Sequence, residues 1–149
     1  MYAIQDFTDS CISASRLQKS KAYWVRNFYC DFKYKNYTIY ANILTCNVIK
    51  ILQSDNNNEE TTRCIDFNEP NRRCELSNAI FAHNQPISHF PKQLSNDFSK
   101  LAVISFIRCG LIEKKKKNLK NQINLREIHL VDNQIEVIEE NLFQFNEKL

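Results

Sequence analysis

Cysteine and histidine side chains are the groups of this chain best suited to chemistry. Cys64 and Cys74, with His83 and His89, offer the thiolates and imidazoles that bind zinc. Nine residues separate the two cysteines, whereas paired ligands in a zinc knuckle are only about two to four residues apart. We therefore predict no metal site, and we expect no cofactor.

A second combination of residues is typical of nucleophilic catalysis. Cys109, His129 and Asp132 have the side-chain types of a thiol nucleophile, its base and an orienting acid. The apolar pattern described below, however, places Cys109 at a turn after one strand and His129 on the outer face of the next. Because the two side chains would face different ways, we predict no enzyme. A small cysteine enzyme is the alternative, and it requires one reactive thiol.

Composition excludes several further function classes. The single glycine, Gly110, excludes the glycine-rich loops that bind phosphate in nucleotide-binding proteins. A net charge of +3 over 149 residues is too small to indicate a nucleic-acid partner. No apolar run approaches the roughly 20 residues of a membrane helix, so we predict no membrane segment. With 43% hydrophobic residues, the chain can bury the core of one domain.

The number of cysteines bears on the compartment. Six cysteines favour an oxidising environment. The N-terminal residues, however, lack the apolar stretch of a secretory signal peptide. We expect an extracellular or cell-surface protein, and we attribute the missing signal to an incomplete N-terminus.

The clearest structural pattern is in residues 125–149. Ile128 and Leu130 alternate with polar neighbours, which predicts a short strand with one buried face. The amide of Asn133, where this strand must turn, can bind freed backbone groups of the turn and of its neighbour. The spacing L-x-x-I-x-L-x-x-N-x-I-x-x-I is that of a leucine-rich repeat. Ile135 and Ile138 are expected to carry the chain back across the core.

The same spacing occurs earlier in the chain. A repeat begins at Leu101, 24 residues before Leu125, with Cys109 in the asparagine position. Lys114 takes the inward position of Ile138, so we expect a bulge there or filling by Ile112. A weaker repeat precedes Leu101. We therefore predict an α/β repeat fold, a leucine-rich repeat solenoid with a parallel β-sheet on its concave face and an irregular convex side.

Residues 30–52 are rich in aromatic and β-branched side chains and predict two strands around a polar turn, an N-terminal β-hairpin cap. Cys30 and Cys46 could join them, and Cys64 and Cys74 could form a second disulfide. A disulfide between Cys30 and Cys46 would close a short loop and stabilise the fold by about 3 kcal/mol. Buried free thiols are the alternative. The partner of each cysteine is also open, because six cysteines allow 15 pairings.

These patterns divide the chain into three parts. We predict a poorly ordered lead at 1–29, a disulfide-bearing N-terminal cap at 30–76, and about three leucine-rich repeats at 77–149. Because Leu149 begins a further repeat, we expect a truncated C-terminus that continues into further repeats. A fragment of a longer protein with no independent function is an alternative reading of the chain. Asn36 begins a glycosylation sequon.

The order of these features resembles a known family. Cys30-Asp31-Phe32 and Thr45-Cys46-Asn47-Val48 look like the cap, and Phe90-Pro91 looks like the entry to the first regular repeat, of secreted or membrane-anchored leucine-rich repeat proteins of insects. The resemblance covers residues 29–149. It implies a secreted recognition protein or part of an extracellular receptor, whose concave face binds another protein.

The outward residues of the predicted strands define the candidate binding face. In register they stack as three columns, which begin at Ala79, Phe81 and His83. Several are apolar, and an exposed apolar patch often marks an interaction site. We predict a non-catalytic protein-binding surface, although the N-terminal segment or a cap loop could cover it instead. The candidate binding residues are Phe81, His83, Val103, Ser105, Ile107, Glu127, His129 and Val131.

Overall fold

A mixed β-sheet organises the chain in the computed structural model. The structure describes residues 2–4, 24–37, 40–54, 63–70, 74–91, 94, 97–114 and 119–149. The strands are β1 (Tyr2–Ile4), β2 (Trp24–Tyr37), β3 (Tyr40–Ser54), β4 (Arg63–Asp66), β5 (Ala79–His83), β6 (Val103–Ile107), β7 (Glu113–Lys114), β8 (Glu127–Leu130) and β9 (Val137–Ile138). Seven of them form one sheet in the order β1-β8-β6-β5-β3-β2-β4, and β7 pairs with β9 in a second sheet.

The predicted fold class, an α/β leucine-rich repeat solenoid with an N-terminal β-hairpin cap, is wrong. The described residues contain no α-helix, and the 3-10 helix Cys74–Leu76 is three residues long. A solenoid stacks each unit only on its neighbours. Here β1 pairs with β8, and the antiparallel strands β2 and β3 belong to the same sheet as the parallel strands β5, β6 and β8.

The length of the hairpin explains this difference. Its strands contain 14 and 15 residues, far more than the five of β5. The edge of β5 has backbone groups that must find partners, and β3 pairs with it in parallel from Thr45 to Asn47. The hairpin therefore extends the sheet instead of sealing the end of a separate stack.

Two disulfides fasten the hairpin side of the sheet. Cys30–Cys46 joins β2 to β3 with Cα atoms 5.1 Å apart, and Cys64–Cys74 joins β4 to the 3-10 helix. The two pairings that the sequence suggested are thus present in the structure. Cys30 Sγ lies 3.6 Å from Cys64 Sγ, so the bridges are adjacent. Cys11 lies outside the described residues.

The three parallel strands β5, β6 and β8 share one register. Ile80 pairs with Ile104, and Ile104 pairs with Ile128. All three side chains are fully buried on the core side of the sheet. Strand alternation then places the residues before and after them on the opposite face. This face carries the candidate binding residues.

Each of these strands ends in the left-handed region of backbone space. Asn84, Arg108 and Asp132 have φ values of 57°, 57° and 55°. Asparagine and aspartate tolerate this conformation because their short polar side chains bond locally. Arg108 lacks this advantage, and its Nε donates to Asp132 Oδ2 at 3.2 Å. The strands therefore stop at equivalent points, and the chain turns away from the outer face there.

The chain after β8 differs from the prediction at one position. Ile135 is buried at 4% exposure, as expected for a residue that crosses the core, but Ile138 is 51% exposed. Val137 and Ile138 form β9, which pairs with β7 at Glu113 and Lys114. This pairing holds Ile138 at the surface, so its position in the repeat is not a core position. The predicted filling by Ile112 is also wrong, because its side chain is 36% exposed.

Strand β1 pairs in parallel with β8, with Tyr2 opposite Ile128. The edge of β8 is therefore covered by backbone from the other end of the described chain. Both β1 and the first residues of β2 belong to residues 1–29, for which we predicted a poorly ordered lead. The rest of that lead, residues 1 and 5–23, lies outside the described residues, as do Lys115, Lys116 and Lys117 of the lysine run.

Candidate functional site

The outward face of β5, β6 and β8 is half covered by the tip of the hairpin. Tyr37, Tyr40 and Ile43 pack against a small apolar cluster on this face. The cluster consists of Ala79, Phe81 and Val103. The alternative that a cap loop covers the predicted face therefore applies to the half where the strands begin.

Burial divides the predicted binding residues into two groups. Val103, Ser105 and Glu127 are 0%, 1% and 2% exposed, so they do not reach a partner while the hairpin tip is in place. Phe81 is also buried, at 7% exposure, but part of its ring lines a surface cleft. His83 is exposed at the end of β5. Ile107 and Val131 are partly exposed at the same end, and His129 is partly exposed in the row of Phe81 and Ser105, beside the hairpin tip.

An open cleft of about 270 Å³ lies between the hairpin and β5. Tyr37 and Phe81 form its aromatic walls, with ring centroids 5.0 Å apart. Lys35 Nζ lies 4.4 Å from the centre of the Phe81 ring and donates to Asn47 Oδ1 at 3.1 Å. The cleft is lined by Lys35, Tyr37, Asn47, Val48, Phe81 and His83.

Hydrogen bonds fix the polar wall of this cleft. Thr45 Oγ1 donates to Lys33 O at 2.8 Å, and Asn47 Nδ2 donates to Asp31 O at 3.1 Å and to Thr45 Oγ1 at 3.1 Å. These contacts leave Asn47 Oδ1 directed at Lys35 Nζ. The positions of the amide and the ammonium group are therefore set before any ligand arrives.

His83 closes one end of the cleft. Its Nε2 lies 3.1 Å from Ser105 Oγ, and its ring stands edge-on to Phe81 at 5.9 Å. Partial burial lowers the pKa of His83, and the charges of Lys35 and Arg108 lower it further. The imidazole is therefore neutral at physiological pH, and its surroundings are electropositive.

A buried acid lies on the other side of the hairpin tip. Glu127 Oε2 is 3.1 Å from His129 Nε2, and the Glu127 side chain is 2% exposed. The pKa values of Tyr37 and Tyr40 are both raised, first by burial and then by the charge of Glu127. Tyr37 also stands edge-on to His129 with ring centroids 6.2 Å apart. The Glu127–His129 pair therefore lies beside the tyrosines of the hairpin tip and does not line the cleft.

The residues considered for catalysis and metal binding lie apart. Cys109 is a buried thiol outside the two disulfides, and its single S–H lies within hydrogen-bond distance of two carbonyl acceptors, Ala82 O at 3.1 Å and Ile107 O at 3.2 Å. It is held in a strand-end turn, whereas His129 faces the hairpin tip. Across the described ranges, no three His, Cys, Asp or Glu side chains form a group that could hold a metal ion.

Asn133 and Asn36 have structural surroundings of different kinds. Asn133 Oδ1 accepts from Cys109 N at 3.1 Å and Leu111 N at 3.2 Å, and its Nδ2 donates to Phe106 O and Val131 O. It therefore binds the backbone of two neighbouring turns. Asn36 is exposed, and its Oδ1 accepts from Asn42 N at 2.8 Å. Thr38 of the sequon lies outside the described residues.

Sequence reasoning missed the cleft residues of the hairpin. Lys35, Tyr37 and Asn47 were assigned only to a cap. Alternation along β2 does place Lys35 and Tyr37 on one face. Nothing in their spacing shows that this face turns toward Phe81, which is 44 positions further along the printed sequence.

Comparison of the chain with protein-family models, curated proteins and solved structures found no match. No helix in the described part of the chain is both long enough and apolar enough to cross a membrane.

Proposed function

We propose that this chain is a non-catalytic protein-binding module that acts outside the cell. The cleft between the hairpin and β5 is the observation on which this proposal depends. It is open to solvent, it combines aromatic walls with a few fixed polar groups, and it lies beside the exposed end of the sheet face. Aromatic side chains held in place offer large contact areas at a small entropic cost.

The geometry around the cleft supports binding of a protein rather than a small cofactor. Its volume of about 270 Å³ is below the roughly 300 Å³ at which small-molecule pockets begin. The surface continues from the cleft to Ile107 and Val131, which are partly exposed at the strand ends. A partner that places one or two side chains in the cleft would also cover this strip.

Two disulfides support the extracellular part of the proposal. Disulfides persist in oxidising compartments and are reduced in the cytosol. Cys30, Cys46 and Cys74 are buried, so these bridges act as structural staples. Such staples suit a small protein in an oxidising compartment outside the cell.

A binding screen against an array of secreted and cell-surface ectodomains tests the proposal. The wild-type chain, with its disulfides formed, is compared with His83→Glu at the cleft and with Phe67→Glu as the control. Phe67 is 57% exposed and does not line the cleft. We expect a partner whose affinity falls at least about tenfold with His83→Glu and is unchanged with Phe67→Glu.

Two outcomes would contradict the proposal. Loss of binding with Phe67→Glu but not with His83→Glu would place the interaction on another surface. Absence of any bound ectodomain, with the wild-type chain folded and oxidised, would contradict an extracellular protein-binding function.

A further inference from the structure

Among the described residues, the cleft is lined by cationic, aromatic, imidazole, amide and aliphatic groups, and none of them is a carboxylate. Lys35 Nζ contacts the Asn47 amide and the Phe81 ring. Within the described part of the chain, no carboxylate lies within ion-pair distance of Lys35. A cation placed over an aromatic ring is attracted to the face of that ring but keeps its charge. Lys35 therefore still offers a full positive charge to a ligand.

The acidic side chains near the cleft contact other groups. Asp31 Oδ2 lies 3.2 Å from Lys33 Nζ, and Asp132 Oδ2 lies 3.2 Å from Arg108 Nε. Glu127 is buried beside His129. Among the described residues, these acids therefore make their ion-pair contacts outside the cleft, although the charge of Glu127 also acts on Tyr37.

His83 is a second side chain of the cleft that can bind an anion, because a nearby anion favours its protonated form. His83 is exposed at the end of the cleft, and Ser105 Oγ lies 3.1 Å from its Nε2. Lys35 and Arg108 disfavour a positive charge on this imidazole. A carboxylate between Lys35 and His83 would reverse this effect, because an anion near an imidazole favours its protonated form.

We propose that the cleft binds an acidic segment of an extended polypeptide. A glutamate or aspartate carboxylate lies between Lys35 Nζ and the His83 ring. An aromatic or aliphatic side chain two positions away lies against Tyr37 and Phe81, because alternate residues of an extended chain share a face. This inference depends on the proposed binding function of the same face and specifies which partner segment that face recognises.

The size of the cleft and the charge of the chain favour this ligand over a phosphate-rich one. About 270 Å³ accommodates one acidic side chain and part of its neighbour, not a nucleotide. Nucleic-acid binding depends on many phosphate contacts from several cations. Of the lining residues that the structure describes, Lys35 is the one Lys or Arg.

Two blocked tripeptides test the proposal, Ac-Glu-Gly-Phe-NH2 and its uncharged twin Ac-Gln-Gly-Phe-NH2. They are titrated into the full ¹⁵N-labelled chain with intact disulfides, and affinity is read from NMR shifts, including those of the His83 ring nitrogens. We expect the glutamate peptide to bind about fivefold more tightly, the upper range for a solvent-exposed ion pair. We expect its shifts to cluster at His83 and Phe81.

Lys35→Gln should abolish the preference for glutamate over glutamine. Lys50→Gln is the matched control, because Lys50 is an exposed lysine of the same hairpin that also lies over an aromatic ring, 5.3 Å from the centre of Tyr29, but does not line the cleft. We expect Lys50→Gln to retain the preference. The exchange of one exposed lysine for glutamine in each variant leaves the core and both disulfides intact.

Other outcomes separate this inference from the proposed function. Equal affinity for the two peptides, or a preference that survives Lys35→Gln, would overturn the acidic-segment assignment. If ectodomain binding still depends on His83 in that case, the binding function stands and only the ligand class is wrong. Tighter binding of inorganic phosphate or of a dT10 oligonucleotide than of the glutamate peptide would also overturn it.

Discussion

Tyr37 stands edge-on to Phe81, with ring centroids 5.0 Å apart and ring planes at 60°. This contact joins the tip of the β2–β3 hairpin to the outer face of β5. Both rings also line the cleft. The same pair therefore anchors the hairpin and shapes the candidate binding surface.

Phe81→Ala should reduce the free energy of unfolding by about 3 kcal/mol, because it removes a buried aromatic side chain and leaves a gap beneath Tyr37. Chemical denaturation measures this change. Phe67→Ala is the control, since Phe67 is 57% exposed whereas Phe81 is 7% exposed. Its effect should stay within about 0.5 kcal/mol. Equal losses in the two variants would show that the hairpin tip does not bury Phe81.

Stability should fall as the pH rises above about 10. The pKa values of Tyr37 and Tyr40 are raised in the folded state by burial and by Glu127. The unfolded chain therefore loses these phenol protons first, and proton loss favours unfolding. Denaturation midpoints between pH 8 and pH 11 measure the effect.

The double variant Tyr37→Phe/Tyr40→Phe should weaken this alkaline loss of stability, because it removes the two perturbed phenols. Tyr34→Phe is the control, since Tyr34 is 67% exposed on the same hairpin. If the double variant and the control lost stability alike above pH 10, burial of these two phenols would be excluded as the cause.

Asn133→Ala should cost about 4 kcal/mol of unfolding free energy, since four backbone groups lose a buried partner at about 1 kcal/mol or more each. The groups are Phe106 O, Cys109 N, Leu111 N and Val131 O. Denaturation by urea measures the loss. Gln134→Ala is the neighbouring control and should change stability by less than about 0.5 kcal/mol. A loss below 1 kcal/mol for Asn133→Ala would contradict the role of its amide.

Removal of the hairpin disulfide should destabilise the chain by about 3 kcal/mol, because the loop that it closes constrains the unfolded state. Cys30→Ser/Cys46→Ser removes the bridge, whose cysteines are 16 residues apart. Cys109→Ser is the control for exchanging a buried cysteine, and serine can still donate to Ala82 O. We expect Cys109→Ser to reduce the free energy of unfolding much less, as measured by thermal and urea denaturation. A larger loss of stability from Cys109→Ser than from Cys30→Ser/Cys46→Ser would contradict this prediction.

Binding of Ac-Glu-Gly-Phe-NH2 should strengthen as the pH falls below about 6.5. The pKa of free His83 is lowered by burial, Lys35 and Arg108, while Ser105 and Asn47 face it as neutral groups. A bound carboxylate raises this pKa. His83 therefore takes up a proton when the peptide binds, and the affinity rises as the pH falls. Affinity should fall again near pH 4.3, where the peptide carboxyl protonates. A His83→Gln variant with the same pH profile would contradict this assignment.

Apolar spacing is enough to predict the register of the parallel strands. Ile80, Ile104 and Ile128 recur at the same interval in the sequence and pair across β5, β6 and β8. The period predicts which side chains face the core, because burial on one face fixes the register of a strand. Residue types and spacing also suggested the turn position of Asn133 and the two disulfides that the structure contains, although 15 cysteine pairings were open at that stage.

Long-range pairing could not be predicted in the same way. The contact of Tyr37 with Phe81 and the pairing of Tyr2 with Ile128 join distant parts of the sequence. No local pattern encodes such contacts, because they depend on how whole strands dock. The solenoid prediction failed for this reason, since it extended a local repeat pattern over a sheet that is completed by other strands. Ile138 was misplaced because β9 pairs at the surface.

The pairing of β1 with β8 also affects how the chain folds. The ribosome makes β1 first, but its partner strand appears only after residue 127. The β2–β3 hairpin, whose strands are neighbours in sequence, can form while synthesis continues, whereas closure of the sheet by β1 must wait. High contact order of this kind slows folding. The N-terminal strand is therefore the first part of the sheet to be synthesised, but it has no partner to pair with until residues 127–130 have been made.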